Sequence, residues 1–147
     1  MIDYRTGDCL DVFAAEPDAP PFHVGHARAE DFLDALPDGR VSLIFFDGPY
    51  FGEKTDEAWD TAWKTPADFL AWQGSILARF RRVLAPNGSI YVCASPRMGA
   101  RVEVNVAEHV EVLTNIRWRK PPHATKAEMF TKEDLRAPFP ASETIVF

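Results

Sequence analysis

The sequence contains little cysteine, with only Cys9 and Cys93 among its 147 residues. Their separation matches neither a disulfide framework nor a metal-ligand spacing, so we expect both to be small buried hydrophobic residues. His23 and His26 lie three positions apart, in a stretch broken by prolines and without an obvious third ligand. The sequence therefore predicts no metal site.

Long hydrophobic runs are also missing. No uninterrupted apolar stretch approaches the roughly 20 residues of a membrane-spanning helix, and the N-terminus lacks the pattern of a secretory signal peptide. With 46% hydrophobic and 26% charged residues, the composition is that of an ordinary globular protein. We therefore expect one cytoplasmic domain over residues 1–147, with no membrane partner.

Positive charge is scarce as well. Lysine and arginine number 16 against 22 acidic residues, which gives a formal net charge of −6. Since phosphate contacts need cationic side chains, this balance argues against indiscriminate binding to nucleic acid. Basic residues nevertheless gather in the last quarter of the chain, at Arg117, Arg119, Lys120, Lys126, Lys132 and Arg136. Each of them taken singly is equally compatible with a solvated surface.

Hydrophobic patterning predicts alternating strands and helices. Val41–Phe46 is a nearly continuous apolar run, which predicts a strand buried on both faces, as in a parallel sheet. The clearest helix follows Thr65, a capping residue, and its apolar stripe continues until Pro86-Asn87-Gly88 ends it. Further elements are a short helix over Glu30–Leu36 and strands over Ser89–Cys93, Val110–Trp118 and Glu143–Phe147.

The segment after Ser95 is ambiguous. Val102, Val104 and Val106 alternate as in a strand, but Met98, Val102 and Val106 also recur at four-residue steps. A helix is favoured by that spacing and by its start signal. Strand, helix, strand, helix, strand is the order of βαβ units with right-handed crossovers. The predicted fold class is therefore α/β, with a mostly parallel sheet and flanking helices.

Four residues stand out at the end of the first predicted strand, namely Asp47, Gly48, Pro49 and Tyr50. Open α/β sheets bind ligands outside the carboxyl ends of their strands. A carboxylate beside a rigid proline and an aromatic ring can grip a planar base at such a place. The residues Asp-Gly-Pro are also common where a chain simply turns after a strand. The tetrapeptide alone therefore does not distinguish a binding site from a turn, and the flanking sequence is needed.

The run from Leu36 to Tyr50, LPDGRVSLIFFDGPY, resembles the catalytic segment of DNA amino-methyltransferases, which methylate adenine or cytosine amino groups. The family usually has proline where this chain has Gly48, and histidine where it has Ser142. The resemblance implies a partial Rossmann-like methyltransferase fold over about Leu36 to Phe147. Later stretches follow in the family's order, at Trp59-Asp60, Arg82–Val92, Asn115–Pro121 and Ser142–Phe147.

The same resemblance implies a set of catalytic residues. Asp47 and the backbone carbonyl of Gly48 would hydrogen-bond the amino group of a flipped base, while Tyr50 stacks on its ring. Pro49 would fix the local backbone. In the family an aspartate at this position goes more often with adenine, so adenine N6 is the expected target. RNA or a free nucleoside as substrate stays open.

Cofactor and partners follow from the resemblance too. S-adenosylmethionine is the expected cofactor, with Asp47 and Pro49 near it and Asp8 as a further contact. Double-stranded DNA is the expected partner, and its phosphates would meet Arg117, Arg119 and Lys120.

The family's glycine-rich cofactor turn, Phe-x-Gly-x-Gly, does not occur in the sequence. With this order of segments the turn would lie downstream of Phe147. One interpretation is therefore the catalytic half of an adenine methyltransferase, which needs a missing complementary segment or a partner subunit that carries the cofactor motif. The alternative is a non-catalytic, methyltransferase-like domain with weak nucleic-acid binding.

Overall fold

A computed structural model describes residues 26–53, 56–120 and 142–147. Within these segments the strands are β1 (Val41–Phe46), β2 (Leu84–Ala94), β3 (Asn115–Arg119) and β4 (Ser142–Val146), and the helices are α1 (Ala29–Ala35), α2 (Pro66–Val83) and α3 (Gly99–Ala107). The strands form one sheet in the order β1-β2-β4-β3. β1 and β2 are parallel, whereas β4 is antiparallel to both of its neighbours. The predicted α/β class is confirmed.

Helix α2 begins as its sequence predicts. Asp68 N donates to Thr65 Oγ1 at 3.2 Å and Thr65 N donates to Asp68 Oδ2 at 3.0 Å. This is a capping box, and Pro66 occupies the first helical position, where its missing N–H is not needed. The buried face of α2 consists of Phe69, Gln73, Ile76, Leu77, Phe80 and Val83.

None of the helices in the described ranges is long and apolar enough to cross a bilayer.

The predicted end of α2 is wrong. The helix stops at Val83 and β2 starts at once at Leu84, so Pro86–Gly88 lies inside the strand. The register with β1 shifts just after Val41, because β2 carries extra residues there, as in a bulge. A Cβ on Gly88 would lie 2.9 Å from the carbonyl oxygen of Val41, so glycine permits this close approach.

The structure confirms the predicted helix α3 but not the predicted start of β3. The segment after Ser95 is helical, as favoured, and α3 buries Met98, Val102 and Val106 on one side. β3 begins at Asn115 rather than at the predicted Val110, because its ladder with β4 starts at the pair Asn115–Val146.

Arg82 joins α1 to α2. Its Nη2 donates to the carbonyl oxygen of Leu33 at 2.6 Å, and its Nη1 donates to that of Leu36 at 2.9 Å. Leu36 is the C-cap residue of α1, and the Leu33 carbonyl, which also accepts from Leu36 N at 3.1 Å, belongs to the last turn. The guanidinium therefore completes the end of α1 and fixes it beside the chain that enters β1.

The described helices cover one face of the sheet. Ile44 and Phe46 of β1 pack with Val92 of β2 and with the buried sides of the helices in a single core. On the opposite face of β1, Leu43 is 59% exposed and Phe45 is 62% exposed. The expectation that β1 is buried on both faces is therefore wrong, since the described helices all pack on the side of Ile44 and Phe46.

Candidate active site

The loop from Asp47 to Tyr50 leaves the sheet at the carboxyl end of β1. Asp47 is exposed to solvent and Tyr50 is partly buried. The next residue, Phe51, has a left-handed backbone with a φ of 64°, a conformation that costs about 1–3 kcal/mol in non-glycine residues. Its ring packs against Phe69 of α2 at a centroid distance of 5.7 Å, which helps to offset that strain.

Asp60 holds this loop in place. The residue is 1% exposed, and its Oδ1 accepts a hydrogen bond from the backbone N of Tyr50 at 3.1 Å. Its backbone carbonyl accepts a second hydrogen bond, from the N of Gly52, at 3.1 Å. A buried carboxyl group therefore orients the peptide that carries the Tyr50 side chain.

The Phe46 ring explains why position 48 is glycine. A Cβ at Gly48 would lie 2.4 Å from Phe46 Cζ, well inside van der Waals contact. The ring is itself packed edge-on against Phe80 of α2, at a centroid distance of 5.2 Å. A proline at position 48 would also carry a Cβ and would meet the same ring.

The hydroxyl of Tyr50 lies between two carboxylates. It donates to Asp47 Oδ1 at 2.7 Å and is 3.0 Å from Glu143 Oε2 on β4. Glu143 also forms an ion pair with Lys120, which follows β3. Burial, and then the hydrogen bonds to Asp47 and Glu143, raise the pKa of the Tyr50 phenol well above its ordinary value. The hydroxyl therefore stays protonated and acts as a donor.

Two small polar side chains at the end of β2 are buried. Burial, followed by the negative charge of Asp47, raises the pKa of the Cys93 thiol to about 11. A thiol that stays protonated at neutral pH is a poor nucleophile, so Cys93 does not offer covalent catalysis. Ser95 Oγ is also buried, without a hydrogen-bond partner among the described residues.

The structure brings part of the predicted site together. Asp47 and Tyr50 are in hydrogen-bond contact, with Gly48 and Pro49 between them. Lys120, predicted from its charge to meet DNA, joins the same cluster through Glu143.

Two other predicted residues, Arg117 and Arg119, lie outside that cluster. Arg117 and Arg119 are exposed on β3, and Arg117 Nη1 donates to Ser142 Oγ at 3.3 Å. Asp8 falls outside the described residues.

Sequence reasoning missed the site roles of Asp60 and Glu143. Both residues belong to stretches that resemble the family, Trp59-Asp60 and Ser142–Phe147, but only as markers of the fold. An acidic residue inside a β-forming run is a signal that could have singled out Glu143. Asp60 lies in a polar segment with several other acidic residues, so nothing in the pattern distinguishes it.

Comparison with known proteins gives one family. A family model, N6_N4_Mtase, described as DNA methylase, matches residues 41–146. The match includes β1, the loop from Asp47 to Tyr50, and Glu143 on β4. No curated protein matches the chain in sequence.

Solved structures share the fold at low identity. The PvuII DNA methyltransferase, which is cytosine-N4-specific, has a TM-score of 0.61 at 17% identity, over 82% of this chain and 46% of that one. A protein from Thermus thermophilus, complexed with S-adenosyl-L-methionine, has a TM-score of 0.52 at 16% identity, over 82% and 49%. The M1.HpyAVI–SAM complex has a TM-score of 0.50 at 19% identity, over 99% and 52%. The chain therefore spans about half the length of the structures it matches.

Proposed function

This chain belongs to the DNA methylase family whose model matches residues 41–146, and from that membership we propose that it takes part in S-adenosylmethionine-dependent methylation of a base amino group in double-stranded DNA. The observation that carries the proposal is the contact between Asp47 and Tyr50 at the end of β1, with Asp47 open to solvent. The proposed target is adenine N6, because the acceptor is an aspartate. A base reaches such a site only by leaving the duplex.

Asp47 acts on an amino nitrogen that is a poor nucleophile, because its lone pair is delocalised into the aromatic ring. An Asp47 oxygen accepts one amino hydrogen and the backbone carbonyl of Gly48 accepts the other, which returns electron density to the nitrogen. The nitrogen would then be the nucleophile for the methyl group that bound S-adenosylmethionine would supply. Asp47 is the proposed acceptor of the proton that the amino group loses. Tyr50 stacks on the base, and Pro49 fixes the turn that presents it.

S-adenosylmethionine supplies the electrophile, a methyl group on a positively charged sulfonium. The described residues fit that charge, because Asp47 and Glu143 set two carboxylates against the single ammonium of Lys120. A surplus of negative charge favours a nearby cation. We assign Asp47 and Pro49 to the methyl end of the cofactor, and Asp8 to a further contact with it.

A complementary segment or partner subunit is part of the proposal, since the glycine-rich turn of the family is missing from the sequence. In the described sheet β1 is an edge strand. An apolar cavity of about 250 Å³ opens beside it, under α1, with Phe32, Leu36 and Phe45 among its lining residues. Strand edges and exposed apolar side chains are the surfaces that an added strand covers. We therefore place the complementary half at β1.

DNA would approach from the side of β3. Arg117 and Arg119 present exposed guanidinium groups there, which suit phosphate oxygens. Lys120 lies next to them, with its ammonium shared with Glu143. The proposed phosphate-binding strand, β3, would thus lie beside the loop that would hold the flipped base.

The proposed location of the protein is the cytoplasm, since the free, buried thiol of Cys93 suits a reducing compartment.

Transfer of a labelled methyl group to unmethylated duplex DNA, followed by nucleoside analysis, tests the proposal. Together with the complementary half that carries the cofactor turn, the wild-type chain should form N6-methyladenine, and Asp47→Asn should lower the rate about 100-fold or more, since it removes the charged acceptor. Asp31→Asn is the matched control, because Asp31 is an exposed carboxylate on α1, away from the site. That variant should keep the wild-type rate.

Other results would change the conclusion in defined ways. N4-methylcytosine as the product would keep the enzyme class and overturn the choice of adenine. If wild type and Asp47→Asn are equally inert, and calorimetric titration with S-adenosylmethionine gives no heat, the chain is a non-catalytic domain on its own. Methyl transfer that is unaffected by Asp47→Asn would contradict the role of this carboxylate.

A further inference from the structure

The Tyr50 hydroxyl has one proton and two carboxylate acceptors, and the Cys93 thiol is also in hydrogen-bond contact with it. Asp47 Oδ1 lies 2.7 Å from the hydroxyl oxygen and Glu143 Oε2 lies 3.0 Å from it. A phenol donates a single hydrogen bond, so full donation to one carboxylate is made at the expense of the other. The two carboxylates therefore compete for the same proton.

Glu143 is held in a position to compete for that proton. Its side chain is 12% exposed, and its Oε1 pairs with the Lys120 ammonium, which leaves Oε2 for Tyr50. The backbone of Glu143 is also fixed, because it pairs with Trp118 across the β3–β4 ladder. A charged, partly buried and doubly anchored carboxylate makes a strong and well-oriented acceptor.

In the proposed function, Asp47 must accept a second hydrogen bond in addition to the one from Tyr50. Its carboxylate has to accept a hydrogen from the amino group of the base, while the Tyr50 hydroxyl already occupies Oδ1. A hydroxyl that donates to Asp47 withdraws electron density from the carboxylate and makes it a weaker acceptor for the substrate. The site therefore needs another partner for the phenol when the base enters.

We propose that Glu143 is a positioning residue that takes over the Tyr50 hydroxyl when a base enters, which frees Asp47 for the amino group and fixes the Tyr50 ring for stacking. Lys120 sets the orientation of Glu143 in this arrangement. The proposal rests on the proposed function, because it assumes a base whose amino group meets Asp47. Glu143 itself touches neither the base nor the methyl group.

Two readouts test the proposal separately. The first needs no substrate: tyrosine labelled with ¹³C at Cζ, assigned with Tyr50→Phe, reports the hydrogen bonding of the protonated phenol at neutral pH through its chemical shift. Because the hydroxyl is 3.0 Å from Glu143 Oε2, Glu143→Ala should change the Cζ chemical shift of Tyr50. Glu143→Gln keeps an acceptor oxygen without the charge and should give a smaller change in the same direction.

The second readout is binding of duplex DNA that keeps the target adenine and carries 2-aminopurine beside it, followed by the 2-aminopurine fluorescence. Glu143→Ala should weaken binding about tenfold, the effect of losing one hydrogen bond to a charged group. In a Tyr50→Phe background the same substitution should have no further effect, because the hydroxyl through which Glu143 acts is gone. Glu143→Gln serves in both backgrounds if the alanine variant does not fold.

The outcomes separate this proposal from the proposed function. A Tyr50 Cζ chemical shift that is unchanged in Glu143→Ala and in Glu143→Gln would overturn the shared hydroxyl, whatever the activity. Independent effects of Glu143→Ala and Tyr50→Phe on binding would overturn the positioning role. A changed Cζ chemical shift together with a wild-type chain that binds no DNA would contradict the proposed function while leaving the contact itself in place.

Discussion

Gly48→Ala should destabilise the protein, because the Phe46 ring occupies the space that a side chain would need. A Cβ at position 48 would lie 2.4 Å from Phe46 Cζ and 2.9 Å from both Cε atoms, whereas carbon atoms pack at about 3.5–4.0 Å. The ring would have to retreat by about 1 Å, judged from the same packing distance. Phe80 and Trp72 oppose that movement, at centroid distances of 5.2 and 6.4 Å. Overpacking of this kind costs about 1–3 kcal/mol.

Urea denaturation measures this cost as a lower unfolding midpoint, and the chain offers a matched control. Gly74→Ala adds the same atoms in the middle of α2, where the nearest atom, His109 Nε2, would be 3.4 Å away. Alanine is preferred over glycine in a helix interior by about 0.5–1 kcal/mol. The same chemical change should therefore lower the free energy of unfolding at Gly48 and raise it at Gly74.

A Phe46→Leu background provides the decisive comparison. Leucine removes the ring atoms that a new Cβ would meet, so Gly48→Ala should cost less there, with a coupling energy of about 0.5–3 kcal/mol. A Gly48→Ala midpoint at or above that of wild type would refute the steric argument. An equal cost in both backgrounds would refute it as well.

Two further predictions concern the surroundings of the site. Asp60→Ala should cost about 1–3 kcal/mol in urea denaturation, because the partly buried Tyr50 N–H loses its acceptor. Asp60→Asn keeps an oxygen there and should cost less, and equal costs of the two substitutions would contradict this role. Combined Arg117→Gln and Arg119→Gln should reduce the slope of log binding constant against log salt concentration by about one for each phosphate that is no longer neutralised. An unchanged slope would assign both arginines to the solvated surface.

The strand that leads into the site and the start of the helix beside it were predictable from local sequence signals. The strand β1 has the predicted bounds, Val41–Phe46, because an apolar run between turn residues is a local signal. The start of α2 was equally clear from Thr65 and Pro66. The end of α2 was not, because pairing with β1 draws Leu84 into the sheet although turn residues follow it.

The sequence alone could not predict that distant side chains meet at Tyr50. Asp60 lies 10 positions from Tyr50 and Glu143 lies 93 positions away. Periodicity assigns a residue to a face of its strand but gives no information on which strands are neighbours. Glu143 reaches the phenol because β4 lies between β2 and β3, an order that only the folded chain shows.

The edge position of β1 also affects how the purified chain behaves in solution. Within the described sheet its outer edge has no neighbour, and Leu43 and Phe45 project into water from the face that the described helices leave open. Two molecules can extend each other's ladder along such an edge, and the exposed apolar side chains add a second surface for self-association. Expression without a binding partner therefore favours inclusion bodies and concentration-dependent oligomers, and co-expression with whatever covers β1 is the route to a monodisperse sample.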